Sequence, residues 1–263
     1  MPVDKKYRNR HLLIDGDVIC YAATSVSNYE VDWGEEDGGP TNSGNLRLAQ
    51  DAFQSSLSSL LEELGTTDFT LCWSHGKNFR KEILPSYKAP RKLKAKPHDY
   101  YECAAWARET YASKWIDTLE GDDVMGILMD EDHIMVSIDK DMFTIPGKFY
   151  RMKTGNKYQK AKAGPVQIVD STEVQAQRFF LTQVVTGDTS DNYTGVPGVG
   201  PARAEKWFQE YGYNWRAVVS LYKTKDLREE DAIIQAQMAR ILTKKEWNDG
   251  VLTMWDPSHL IKE

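Results

Sequence analysis

The sequence predicts an α/β protein, a mainly parallel central sheet flanked by helices, continued from about residue 171 by an all-helical region. Three observations carry that prediction. Short apolar runs at 11–15, 69–73 and 133–138 alternate with segments of helical period, the pattern of a parallel sheet. Acidic residues stand at or just beyond the ends of the first and third of those runs, where open α/β sheets place their ligands. After 171 the strand signals vanish and helical ones dominate.

His11 to Cys20 (H-L-L-I-D-G-D-V-I-C) reads as a short buried strand ending at Asp15, with the chain turning at Gly16. The stretch from Glu30 to Gly44 has five acids, no base and four glycines, which predicts a mobile loop with no evident job. Ala49, Phe53, Leu57, Leu60, Leu61 and Leu64 recur at helical spacing, and Gly65 closes that helix. Phe69 to Trp73 is the second strand. A basic block follows, then aromatic helical material at Tyr100, Tyr101, Trp106, Tyr111 and Trp115. A helix begins near Glu120, and His133 to Ile138 is the third strand. Helices are predicted over 173–186, 201–211 and 229–242. The division falls between 1–170 and 171–263.

Length and composition fit a folded protein of one or two domains, with 41% hydrophobic and 27% charged residues in 263. The apolar run near the start is broken by Asp15 and Asp17, so no signal peptide is read there. No window approaches the roughly 18 apolar residues of a membrane span. Cys20, Cys72 and Cys103 are odd in number and unpaired in spacing, which predicts reduced thiols and a cytoplasmic protein. Five scattered histidines argue against a histidine-based zinc site. The net charge of −6 conceals two basic blocks. Lys77 to Lys96 holds eight bases against Glu82 alone, and Lys148 to Lys162 holds six bases and no acid. Either block alone reads as solvated surface, but two beside an acidic site point to a nucleic-acid backbone.

The acidic runs are L-E-G-D-D-V at 119–124, S-I-D-K-D-M at 137–142 and G-D-T-S-D-N at 187–192. They offer Glu120, Asp122, Asp123, Asp139, Asp141, Asp188 and Asp191, with Asp15 at a strand end. Asp139 and Asp141 share a face in extended backbone, as Glu120 and Asp123, or Asp188 and Asp191, do on a helical turn. Any single pair has a plainer reading as a helix cap or turn. Gathered in one pocket, so many carboxylates stay ionised only if cations neutralise them. All-oxygen ligation suits Mg²⁺ or Mn²⁺, and two such ions clamp a phosphodiester for in-line attack. T-G-V-P-G-V-G-P-A-R-A-E-K at 194–206 adds a tight hairpin at Gly195, Gly198 and Gly200 leading into a helix. Its N–H groups, with Arg203 and Lys206, suit a DNA phosphate; a plain interhelical turn is the alternative.

Together these motifs resemble the 5′-nuclease, or flap-endonuclease, family with its PIN-like catalytic domain, and most of all the 5′→3′ exonucleases of short-tailed bacteriophages. The motifs that carry the resemblance are L-L-I-D-G-D, F-R-K-E-I-L-P-S-Y-K-A-P-R-K, L-E-G-D-D-V-M-G, S-I-D-K-D-M-F-T-I-P, G-D-T-S-D-N-Y-T-G-V-P-G-V-G and I-I-Q-A-Q-M-A-R-I-L, spread over most of the chain. The resemblance implies a helical arch over about 85–117 and a C-terminal helix-hairpin-helix-type DNA-binding part. It implies that Asp15, Glu120, Asp122, Asp123 and Asp139 gather around one ion and Asp141, Asp188 and Asp191 serve the other, some through water. It also implies a potassium ion at 194–206. Arg80, Lys88 and Arg91 match basic residues at the base of the arch, with Lys88 stabilising charge on the scissile phosphate. Tyr87 would stack on the terminal base, or else serve the core, and Lys92, Lys94 and Lys96 would line the arch. One position departs from the family: Ser74 and His75 stand where an aspartate usually follows the second strand. His75 would ligate a metal softly, or an extra water would take that place.

The expected function is two-metal 5′→3′ exonuclease action on double-stranded DNA with 5′ ends or flaps, and on RNA–DNA hybrids. The products would be 5′-phosphorylated. A monomer in the host-cell cytoplasm, serving phage replication or recombination, is what the resemblance implies. Two rivals are a haloacid-dehalogenase-like phosphatase, with Asp15 as nucleophile, and a non-catalytic DNA-junction binder using the hairpin alone.

Overall fold

A computed structural model describes residues 4, 7–31, 41–93, 95–152 and 167–259. Its first half runs through β1 (His11–Asp15), α1 (Gly16–Ser27), β2 (Tyr29–Val31), β3 (Thr41–Ser43), α2 (Leu46–Leu64), β4 (Phe69–Trp73), α3 (Arg80–Ile83), α4 (Tyr100–Thr110) and β5 (Ser113–Trp115). Then come α5 (Gly121–Leu128), β6 (His133–Ser137), β7 (Gly147–Arg151), β8 (Ile168–Ser171), α6 (Glu173–Thr186), α7 (Pro201–Tyr211), α8 (Trp215–Lys223), α9 (Glu229–Ala239), β9 (Trp247–Asn248) and β10 (Val251–Leu252).

The central sheet has the order β5-β4-β1-β6-β7-β8, parallel except for β8, which runs antiparallel to β7. β1 takes a middle place because it is apolar on both faces. Alternation along it divides the interior in two. Leu12 and Ile14 join Leu71, Trp73 and Val136 beneath α1, α2 and α4. Leu13, Cys72 and Met135 meet Val124 and Met125 of α5 on the other face. β4 and β6 flank β1 on opposite sides, so the winding reverses there and opens a crevice at the strands' carboxyl ends. Free thiols Cys20 and Cys103, remote in sequence, meet inside the first core.

Gly16 is not a turn but the first residue of α1, with Asp15 accepting from the Val18 N–H at 3.1 Å as its cap. A Cβ at Gly16 would stand 2.7 Å from the Trp73 ring, so glycine is what lets the helix start this close to the sheet. Much of 85–117, expected as an arch, packs on the body of the protein. Ala89–Leu93 forms a 3-10 turn, but Tyr100, Cys103, Ala104 and Ala107 of α4 are buried in the first core, and 113–115 is the edge strand β5. The helical spacing expected through Trp115 therefore stops at Thr110, because the small face of α4 packs on the body of the protein.

Helices α6 to α9 close around Phe180, Val184, Phe208, Trp215 and Tyr222. Beyond α9 the chain returns to the sheet: Ile241 enters the α5 core and Leu242 packs with Phe79, Leu119 and Ile127. Strands β5, β7 and β8, helix α8 and the β9–β10 hairpin go beyond the elements expected from sequence. No helix among the described residues is long and apolar enough to cross a membrane.

Candidate active site

The three acidic runs converge. Glu120 caps α5, Asp122 lies in its first turn, Asp139 and Asp141 follow β6, and Asp191 comes from the loop after α6. All five line one pocket with Arg80, Tyr87, Lys88 and Tyr193. Asp15 stands beside them, accepting from the Ser137 hydroxyl at 2.9 Å. Asp188 is tied in by Lys140, whose ammonium lies 3.2 Å from Asp188 and 3.3 Å from Asp141.

The carboxylates fall into two groups. Some already have cations. Burial works against ionised Glu120, but Lys88 and Arg80 outweigh it and hold the carboxyl down to about 2. Burial opposes Asp188 too, yet Ser190 and Lys140 leave it below the usual range. Asp191 is paired with Arg91 and Lys88, but its burial still raises it. The other group repels itself. Burial and then Asp17 push Asp15 up to about 7, against the hydrogen bonds from Ser137 and Val18. Desolvation, then Asp15 and Asp139, drive Asp122 well above the carboxylate range. Burial and Asp139 raise Asp141 to about 6.

Such a donor set fits hard divalent cations: every donor is oxygen, and the charges resist one another where water is scarce. Among the described residues no group of three or more Asp, Glu, His or Cys side chains is placed closely enough to hold a metal ion. Lysine and arginine side chains hold several of the carboxylates instead.

On the basic side, Lys88 has the left-handed φ of 54° and donates its N–H to the Asp191 carbonyl at 2.8 Å. A non-glycine residue held there marks a position fixed by its surroundings. Its ammonium bonds Glu120 and lies 3.4 Å from Asp191. Asn192 donates to the Ser86 carbonyl at 2.7 Å, so the 86–91 segment is latched to the 188–193 loop. Arg91 is half exposed and bonds Asp191.

Of the two readings of Tyr87, core packing is the one its burial matches, and its ring is closed to a base. It is 2% exposed in the C-terminal core, and its hydroxyl donates toward Glu120 at 3.0 Å and Asp191 at 3.1 Å. Arg80 is buried, doubly bonded to Asp123 at 2.7 Å and to the Met238 and Arg240 carbonyls at 3.2 and 2.5 Å. It positions Glu120 and has no donor left over for a substrate. Lys92 belongs to the 3-10 turn, and Lys94 lies outside the described residues. Lys96 stands 3.6 Å over the ring of Tyr100, the first residue of α4. In the second basic block, Lys148 and Arg151 bind the Glu131 and Ile138 carbonyls. Lys153, Lys157, Lys160 and Lys162, like most of the acidic loop 30–44, lie outside the described residues.

Asp123 is not free to be a ligand. It is fully buried, and its oxygens take Arg80 and the N–H groups of Glu120 and Leu242, at 3.2 and 3.0 Å. His75 does not reach the pocket either: its Nδ1 accepts from Thr118 N–H at 3.1 Å, and Nε2 faces Asp117 at 3.6 Å. Ser74 accepts from Gly121 N–H at 3.0 Å, serving the start of α5. Asp17, bound by Ser74 N–H at 2.8 Å and the Tyr100 hydroxyl at 2.5 Å, is a neighbour the sequence reading left out. Lys140, Gln183 and Tyr193 are others. The signal for Lys140 was its place between Asp139 and Asp141; Gln183 and Tyr193 carried none.

In the hairpin, Gly195 and Gly198 have φ of 58° and 76°, and Gly200 caps α7 in extended backbone. Arg203 and Lys206 are exposed, with Arg203 donating to the Gly198 carbonyl at 2.5 Å. Val196, Val199 and Ala204 anchor the segment in the C-terminal core.

Residues 10–179 match the family described as 5′-3′ exonuclease, N-terminal resolvase-like domain. The chain is 28% identical to the exonuclease of Escherichia phage T7 across 94% of its own length and 93% of that protein. It is also 28% identical to the exodeoxyribonuclease of Enterobacteria phage T3, across 94% and 92%. In fold it is similar to the flap endonuclease of bacteriophage T5, solved with DNA and metal ions, with a TM-score of 0.60 at 17% identity over 88% of this chain and 89% of that one. Since the matched span takes in the whole central sheet and the carboxylates at its strand ends, the chain belongs to the 5′–3′ exonuclease family.

Proposed function

We propose that this exonuclease hydrolyses double-stranded DNA from 5′ ends and at flaps, accepts RNA–DNA hybrids, and depends on two divalent ions, Mg²⁺ or Mn²⁺. The observation that carries the proposal is one pocket shared by carboxylates from three remote segments and by Lys88. Asp15, Glu120, Asp122 and Asp139 would hold one ion, and Asp141, Asp188 and Asp191 the other. When bound, the ions supply charge neutralisation and activate a water molecule at neutral pH.

The chain's own residues do the rest. Lys88 exchanges the Glu120 carboxylate for an oxygen of the scissile phosphate, where a preorganised cation stabilises developing charge. Arg91, half exposed, guides the phosphate in, while Arg80 keeps Glu120 in place. Lys92, Lys94 and Lys96 are assigned to the path of the strand on their charge alone. No serine–histidine or cysteine–histidine pair stands in the pocket lining, which favours direct attack by water and a 5′-phosphorylated product. Gly198 and Gly200, with Arg203 and Lys206, grip a duplex phosphate, whereas Gly195, expected to join them, is buried, donates its N–H to Gln235 at 3.0 Å and shapes the turn; carbonyls of that hairpin are assigned to a potassium ion. Residues 1–170 thus supply most of the chemistry, Asp188 and Asp191 complete the acidic site from the second part, and the rest of 171–263 holds the duplex. The setting we assign is phage DNA replication or recombination in the host cytoplasm, with the chain as a monomer.

Digestion of a 5′-labelled duplex and a matched flap, with Mg²⁺ or with chelator, tests this. The label should leave as short 5′-phosphorylated products with metal alone. Cleavage that persists in chelator, or that starts from 3′ ends, overturns it.

A further inference from the structure

We propose that Tyr193 is a further catalytic residue of this site, its phenol hydroxyl donating a hydrogen bond to a non-bridging oxygen of the scissile phosphate. The assignment rests on the nuclease reading above. Tyr193 is 2% exposed and lines the acidic pocket with Lys88, Asp141 and Asp191. Among the described residues no group accepts from its hydroxyl. The ring is fixed on both sides. Its backbone forms a two-bond antiparallel bridge with Asp188, at 2.8 and 3.1 Å, and its ring packs in the C-terminal core.

A buried hydroxyl without an acceptor is uncommon and unfavourable, so its place asks for a partner that arrives later. The neighbouring carboxylates already have donors: Asp141 has Gln183 at 2.6 Å, Asp188 has Lys140 and Ser190, and Asp191 has Arg91 and Tyr87. A phosphodiester entering beside Lys88 brings strong anionic acceptors to this spot. A neutral O–H can bind them without adding a positive charge that would compete with cations for the carboxylates. Tyr87 lines the same pocket but its hydroxyl is engaged with Glu120 and Asp191, so the two phenols have different work.

The test pairs Tyr193→Phe with substrates carrying a phosphorothioate of defined stereochemistry at the scissile position. On the ordinary phosphodiester, single-turnover cleavage should fall about 10- to 100-fold, as loss of a hydrogen bond to a charged acceptor implies. With sulfur at the contacted oxygen, wild type and variant should come within about threefold, since sulfur accepts weakly. The melting temperature in chelator should hold or rise, because the substitution removes an unsatisfied group and no contact. Wild-type cleavage by the variant, an equal deficit on the oxygen substrate and both sulfur diastereomers, or a clear loss of thermal stability would each overturn the assignment. Wild-type protein inert toward every duplex and flap in Mg²⁺ would instead overturn the nuclease reading, and this assignment with it.

Discussion

Asp122 and Asp123 are adjacent in the first turn of α5 and meet opposite surroundings. Asp123 takes both guanidinium nitrogens of buried Arg80, whereas Asp122 faces desolvation, Asp15 and Asp139. Breaking a buried pair by neutralising one partner costs about 3–5 kcal/mol. In a chain of this size each kcal/mol is worth roughly 2–4 °C, so Asp123→Asn should melt about 10 °C lower. Asp122→Asn relieves repulsion and should melt with or above the wild type in chelator, while cleavage is lost. Calorimetry on the two variants checks this, and the reverse order of stability would refute it. Asp139→Asn keeps an oxygen for the Asp141 N–H, bonded at 2.9 Å in the wild type, so its fold should survive. It should abolish cleavage and spare duplex affinity. Unchanged cleavage would remove Asp139 from the mechanism. The acidic runs were visible in the sequence and the fold brings them together, but the sequence could not separate Asp122 from Asp123, because that depends on where Arg80 and the 240–242 segment fold against α5. Ser74 and His75 show the same limit: their partners, Gly121 and Thr118, come from a different stretch of chain.

Elements bounded by local chemistry were legible; those bounded by tertiary contacts were not. α6 spans the predicted 173–186 because Thr172 and Gln175 cap it reciprocally, and α7 spans 201–211 between Pro201 and Gly212. By contrast β5 is three residues on a sheet edge, too short to show a period, and α4 belongs to the body and not the arch because Cys103, Ala104 and Ala107 find α1. The hairpin offers a comparison between two of its glycines. A Cβ at Gly195, φ 58°, would stand 2.4 Å from the Gly187 nitrogen and 2.6 Å from the Val185 carbonyl. Gly200 is extended and has nothing within 4 Å. Gly195→Ala should therefore lose more than the roughly 1–2 kcal/mol of a left-handed L-residue. Gly200→Ala should keep the wild-type melting temperature and weaken duplex binding, if a phosphate approaches the hairpin as proposed. Duplex affinity unchanged in Gly200→Ala would exclude that approach.

At the scale of the whole molecule, the site's charges oppose the fold, and the direction of that opposition can be read from pH. Asp15 and Asp141 have folded-state values of about 7 and about 6, above the ordinary 3.8, so between those limits the native chain binds more protons than the unfolded one. Stability in chelator should therefore fall as pH rises from about 4 to 7. Glu120 runs the other way: held at about 2, its contribution is full above the unfolded value of 4.5 and is lost as pH drops toward 2. The metal-free protein should accordingly be most stable near pH 4–5, below the range usual for acid-rich proteins. Divalent cations need the ionised carboxylates, so Mg²⁺ should raise the melting temperature far more at pH 7.5 than at pH 5. At about 100 times its dissociation constant a ligand adds about 2.7 kcal/mol, which predicts a rise of roughly 5–10 °C at the higher pH. Calorimetry at both pH values, with Mg²⁺ and with chelator, decides the matter. A metal-free protein that gains stability steadily from pH 5 to 7.5, or a Mg²⁺ shift equal at both, would mean that the clustered carboxylates are not what the ions hold.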